Sequence, residues 1–261
     1  DFGVDVRHRF HRSKSAIEEL RRYAQGRPLV GHGTGLSLSS ATPLDEQLLH
    51  EIVVSHRALK YRWYSEHLGT IPNPSSTLSD AKTGLGFPAV LDDETLELIG
   101  GKVRRLGDAL GTGILLENST TPSGVLEQDM SEPEFFNRLH RQTGCGMLLD
   151  LYNLYANTLS LGISGDDYLA ELDPDIVVEI HLPGIDPFEG VHSDSRSRPA
   201  PDTIWQWARA WAPRFRNLAA ITYEHREARH RRLGLGSIGH DLELMRDLAT
   251  RIGDSRTTSM S

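Results

Sequence analysis

The sequence predicts a single α/β domain of the TIM-type (β/α)8 class, on three observations. Short apolar runs alternate with longer amphipathic segments along the chain, the pattern of βα units that feed a parallel sheet. The length of 261 residues matches the roughly 250 that such barrels use as one domain. Six of the apolar runs end in an imidazole or a carboxyl group, at the edge where parallel barrels build their active sites.

Residues 2–6 are apolar and strand-like, and 13–25 have helical spacing at Ile17, Leu20 and Tyr23 after a capping Ser13. Leu29 to His32 is the second strand. Leu48, Leu49, Ile52, Val53 and Leu59 lie on one side of a helix over 45–59, which leads to a strand over 61–67. The Pro-, Gly- and Ser-rich segment 70–90 is a long loop of the kind that forms a lid or substrate edge. Asp93 and Glu94 open a helix to Leu110, and Gly111 and Gly113 mark the passage into a strand at 114–117. A helix over 133–142, a strand over 147–150, a short helix over 166–171 and a strand over 176–181 follow. Helix 203–215, strand 219–224 and helix 238–252 complete the series. These make seven strands. The eighth is expected before Asp1, since the chain starts without Met, or within the irregular early segment. The barrel domain is expected over 1–253, and the polar residues 254–261 form a frayed tail.

Composition narrows the function. With 38% hydrophobic and 25% charged residues the chain is ordinary globular protein, and 28 basic against 36 acidic residues leave a net charge of −8. No broad cationic surface exists to gather phosphates, so no nucleic-acid partner is expected. Cys145 is the one cysteine, which excludes an intrachain disulfide and any zinc site built on several thiolates, and suits a reducing, cytoplasmic compartment. No apolar run approaches the roughly 20 residues of a membrane span, and the N-terminus lacks the layout of a secretory signal.

The strand ends carry the chemistry. His32, His67, Glu117, Asp150, His181 and Glu224 each close an apolar run. Three imidazoles and three carboxylates form an N/O ligand set without thiolate, suited to Fe, Mn or Zn. Gathering so many ionisable groups at a half-buried mouth costs several kcal/mol for each unpaired charge, which a bound cation offsets. Other titratable residues have blander readings. His50, His56 and His140 fall within helices, and His8 and His11 in a segment that serves equally as loop or mouth. Cys145 precedes a strand at the end opposite the expected site, a structural position. Trp205, Trp207 and Trp211 share one helix and are explained by core packing. The glycines of 31–35 lack dinucleotide-fingerprint spacing and suit a close backbone approach to a metal or peptide. The basic stretch 226–232 is interleaved with Glu and His and reads as a solvated surface.

Six stretches in order carry a resemblance: VGHGTGLSLS from Val30, SEHL from Ser65, LLEN from Leu115, TGCGMLLD from Thr143 with Asn153, EIHLPG from Glu179, and TYE from Thr222. Together they resemble the DUF692 family of multinuclear non-haem iron-dependent oxidative enzymes, which includes the methanobactin biosynthesis oxidase. The resemblance implies a TIM-type barrel holding two or three iron ions, in mixed Fe2+ and Fe3+ states. It also implies O2 as co-substrate for oxidative modification of a Cys- or Asp-type residue in a ribosomally made precursor peptide, with a separate partner protein that captures the leader. Family ligand positions carry over to His32, His67, Glu117, Asp150, Asn153, His181, Asp194 and Glu224, with Glu117, His181 and Glu224 central to catalysis.

Two departures matter. The family's Asp-Thr-His falls on Asp194, Ser195 and Arg196, and a permanently protonated arginine cannot ligate metal. That ligand is lost, or His192 replaces it, and Arg196 is free to grip a substrate carboxylate or to form a surface ion pair. The family's Asp-x-Asn-Asn reads here as Asp150, Leu151, Tyr152 and Asn153, which weakens the case for a third iron. The rival readings are a redox-inert Zn or Mn barrel enzyme of the sugar-isomerase or endonuclease type, and a non-catalytic peptide-binding relative.

Overall fold

A computed structural model describes residues 2–5, 14–70, 87–121, 128–183, 201–224 and 230–258. The chain divides into two compact units, Asp1–Leu148 and Leu149–Ser261. The first contains β1 (Phe2–Asp5), α1 (Lys14–Ala24), β2 (Leu29–Gly33), α2 (Glu46–Leu59), β3 (Trp63–His67), α3 (Asp93–Leu110), β4 (Gly113–Glu117), α4 (Glu132–Thr143) and most of β5 (Gly146–Asp150). Its strands are parallel and each pairs with its successor.

Local chemistry explains where the helices of this unit begin and end. The Asp45 carboxylate accepts from the amides of Gln47 and Leu48, Asp92 from Thr95, and the Ser131 hydroxyl from Glu134. Gly111 and Gly144 stop α3 and α4 with φ of 65° and 74°, in the left-handed region where glycine has no Cβ penalty. Leu96, Ile99, Val103, Leu106 and Leu110 give α3 its buried face. Ile99 and Leu106 are fully buried, each contributing about 1.5–3 kcal/mol of apolar transfer. Of the segment 70–90 expected as a loop, residues 71–86 lie outside the described residues, and Thr70 and Phe87 on either side exchange backbone hydrogen bonds of 2.8 and 2.7 Å.

The second unit holds α5 (Leu151–Leu161), α6 (Gly165–Glu171), β6 (Val177–Pro183), α7 (Asp202–Trp211) with a 3-10 turn at Ala212–Arg214, β7 (Ala220–Glu224) and α8 (His230–Thr258). Strands β6 and β7 are parallel, in register from Glu179 beside Ala220 to Pro183 beside Glu224. Trp205 and Trp207 of α7 are buried, as expected of core packing.

The described residues contain the seven expected strands and depart from the sequence reading in three places. Helix α5 is additional: Asp150 ends β5 and caps α5 at once, so no loop residues separate the two and the apolar run hides the change of period. Strand β6 continues past His181 to Pro183, because its pairing with β7 extends to Glu224. Helix α8 starts at His230 rather than 238, running through Gly234, Gly236 and Gly239, and reaches Thr258 instead of fraying from Asp254. Each interior glycine costs about 1 kcal/mol in a helix. The packing of α8 on β7 and the burial of Leu248 and Ile252 outweigh that penalty.

Candidate metal centre

In the first unit, strand register assembles a donor set. Parallel neighbours lie about 4.8 Å apart, so paired residues on one face touch. His32 pairs with Ser65 across β2 and β3, and His67 pairs with Glu117 across β3 and β4. Ser65 and His67 are two residues apart in one strand and therefore share a face. The consequence is convergence on one carboxylate oxygen: His67 Nε2 is 2.9 Å and His32 Nε2 3.5 Å from Glu117 Oε2. The two imidazoles stand 5.2 Å apart, centroid to centroid. Glu117 is 1% exposed, so its charge is held away from water.

This donor set fits a transition metal. One ligand atom from each of His32, His67 and Glu117 lies within 4.8 Å of the others. Ligands about 2.1 Å from a metal are separated by about 3.0 Å along an octahedral edge and 3.4 Å along a tetrahedral one. The observed 2.9 and 3.5 Å lie near these separations, which leaves room for one shared ion. Two neutral nitrogen donors and one carboxylate suit Fe, Mn or Zn.

On the opposite face of β3, Glu66 supports the end of β2. Its carboxylate accepts from the Tyr64 hydroxyl at 3.2 Å and from the Leu36 amide at 3.4 Å, and all three residues are buried. Gly33 lies against this pair. A Cβ there would stand 1.9 Å from Tyr64 Oη and 2.5 Å from Glu66 Oε2.

The second unit has its own cluster. Asp150 Oδ1 accepts from the amides of Tyr152 at 2.7 Å and Asn153 at 2.8 Å, which orients the carboxylate and sets Asn153 in the first turn of α5. His181, 4% exposed, lies with Nδ1 3.7 Å from Glu224 Oε2 and Nε2 3.4 Å from Glu179 Oε1. Glu179 Oε1 also accepts from the Thr222 hydroxyl at 2.5 Å. Glu179 is 1% exposed and shares a face of β6 with His181, a two-residue spacing by which it was readable from the sequence. The spacing of Ser65 from His67 carried the same signal. Neither residue is among the site residues expected from the sequence.

His192, Asp194 and Arg196 lie outside the described residues, as do His8 and His11. His50 is exposed on α2, and His56 on the same helix has its pKa lowered first by burial and then by Lys60. His140 Nδ1 contacts the Cys145 carbonyl oxygen at 2.7 Å, a structural contact at the end of α4. Cys145 is buried, and burial pushes its thiol up to about 11, which makes it a poor nucleophile. Among the described residues no helix is long and apolar enough to cross a membrane.

The fold is that of TIM-barrel-like proteins. A xylose isomerase domain protein from Planctomyces limnophilus superposes with a TM-score of 0.57 at 14% identity, covering 97% of this chain and 89% of that one. Endonuclease IV from Thermus thermophilus gives 0.54 at 16% identity, covering 92% and 83%. At those identities the likeness shows the fold alone. In sequence, a UPF0276 protein of Chromobacterium violaceum is 37% identical over 190 residues, which is 73% of this chain and 67% of the relative. A UPF0276 protein of Bordetella pertussis is 33% identical over 183 residues, and the match spans only 60% of that relative's length. The model of the RiPP precursor modification enzymes MbnB/TglH/ChrH matches residues 3–227. With that match taking in the strand ends that carry His32, His67, Glu117, Asp150, His181 and Glu224, the chain belongs to the MbnB/TglH/ChrH family of RiPP precursor modification enzymes.

Proposed function

We propose that this protein is an iron- and O2-dependent oxidoreductase that modifies a Cys- or Asp-type residue of a ribosomally made precursor peptide. The observation that carries the reading is the convergence of His32 and His67 on the buried Glu117 carboxylate, at the spacing of ligands on one metal. His32, His67 and Glu117 hold iron in this proposal. Asp150, Asn153, His181, Glu224 and Asp194 are the further ligands, with His192 the alternative where Arg196 replaces a ligand, in a centre of two or three ions. Bound iron supplies the one-electron and O2 chemistry that side chains lack.

The chain's own residues do the rest. Glu117 provides the negative charge that balances a cation in a buried place, where an unpaired carboxylate costs several kcal/mol. Glu179 faces the His181 Nε2 and orients that ring, while Asp150 is held in place by the amides of α5. Arg196 is proposed to hold a substrate carboxylate as a bidentate pair. The segment 70–90, expected from its composition to be a loop, is the proposed edge of the peptide site, and a separate protein is the proposed carrier of the leader.

The test uses the full chain, purified without oxygen and supplied with a candidate precursor peptide chosen from genes neighbouring its own. The expected result is bound iron, O2 consumption, and an O2-dependent mass change in the peptide. Glu117→Ala should lose both iron and turnover. Turnover with Zn or Mn that consumes no O2, or a Glu117→Ala protein that modifies peptide without metal, overturns the proposal.

A further inference from the structure

The Ser65 hydroxyl has one proton to give and two polar neighbours within reach. Ser65 is 1% exposed, between β2 and β4 on the face that carries His67. The Gly31 carbonyl oxygen is 3.1 Å from Ser65 Oγ and can only accept, while His32 Nδ1 is 2.8 Å away and can take either role. Both contacts are satisfied in one arrangement only: Ser65 Oγ–H donates to Gly31, and His32 Nδ1–H donates to Ser65 Oγ. The ring proton then sits on Nδ1. In the neutral ring His32 Nε2 then carries the lone pair, on the side where Glu117 Oε2 lies 3.5 Å away.

We propose that Ser65 is a positioning residue that sets the tautomer of His32, so that His32 presents Nε2 as a ligand to a divalent cation. The proposal rests on the metal-centre reading above and adds to it the residue that decides which nitrogen binds. The competing tautomer would place a proton on Nε2, where it would hydrogen-bond to Glu117 and occupy the direction a metal needs. A hydroxyl anchored on the backbone one residue before His32 disfavours that state and limits rotation of the ring. Partners of this kind, which take up the second N–H of a ligating histidine, typically account for 10–100-fold in metal affinity.

The experiment reads the side-chain nitrogens of 15N-histidine-labelled full-length protein by long-range 1H–15N NMR, metal-free and loaded with Zn2+ as a diamagnetic divalent ion. In the wild type, His32 Nδ1 should be protonated in both states, and Nε2 should be the metal-bound nitrogen. Ser65→Ala should weaken Zn2+ and anaerobic Fe2+ binding by about 10–100-fold. Ser65→Thr, which keeps the hydroxyl, should recover most of that loss. An unprotonated Nδ1 in the wild type, metal bound through Nδ1, or wild-type affinity in Ser65→Ala overturns the proposal. If Ser65→Ala does not fold, the wild-type spectra decide. A wild type that takes up no metal instead overturns the metal-centre reading, and the metal-free spectrum still decides the role of Ser65.

Discussion

Gly33→Ala should destabilise the first unit, by an amount that the packing around β2 sets. The φ of Gly33 is not in the left-handed region, so glycine is needed there for space rather than for backbone freedom. The new methyl would lie 1.9 Å from Tyr64 Oη, where van der Waals contact is near 3.5 Å. Tyr64 is fully buried and cannot swing into solvent, so the ring must shift within a packed core, at a cost of about 1–3 kcal/mol. The shift also weakens the Tyr64 hydrogen bond to the buried Glu66 carboxylate, and a buried acceptor left short of a donor costs about 1–3 kcal/mol. Because one hydroxyl takes part in both effects they overlap, and we expect a loss of about 2–4 kcal/mol, or about 5–15 °C in melting temperature. Thermal unfolding followed by near-ultraviolet circular dichroism measures it. Tyr64→Phe removes the atom at 1.9 Å, so the double variant should lose less than the sum of the single losses. A Gly33→Ala protein that melts with the wild type, or a strictly additive double variant, refutes the steric argument.

Three other outcomes follow from the geometry. Asp150→Ala should lose about 0.5–2 kcal/mol through the missing cap on α5, whereas Asp150→Asn keeps an oxygen for the two amides and should restore stability; equal losses in urea titration would count against the cap. Cys145, with its thiol pushed up to about 11 mainly by burial, should resist iodoacetamide in the native protein at pH 8 and react readily in guanidinium. Rapid native labelling would contradict its placement. Asp241 of α8 has its pKa raised above 3.8 by burial, the Tyr223 hydroxyl hydrogen bond opposing part of the rise. A raised acid binds its proton more tightly when folded, so its stabilisation is present below about pH 3.8 and is lost as pH rises through the folded value. Relative to Asp241→Asn, the wild type should therefore lose stability between pH 4 and neutrality, and urea midpoints that move the other way would exclude this.

Much of the candidate site was legible because strand ends are legible. His32, His67, Glu117, Asp150 and Glu224 each stand in the last two residues of a described strand. His181 lies two residues before the end of β6, since pairing with β7 carries that strand to Pro183. Helix α5 was not legible: with Asp150 serving both as strand end and helix cap, the usual run of turn residues is missing. The early start of α8 was obscured by glycines whose cost is met by packing on β7.

By itself the sequence determined the alternation of strands and helices and the arrival of imidazoles and carboxylates at the strand ends. Those signals are local: a two-residue or 3.6-residue period, a capping side chain, a glycine at a helix end. Only the tertiary structure decided that Ser65 lies beside His32, that His67 lies beside Glu117, and that Thr222 meets Glu179. Such contacts join residues tens of positions apart, and they depend on the register of neighbouring strands. Register is set by how whole strands and their covering helices pack, and a slip of one residue would turn every one of these side chains to the other face.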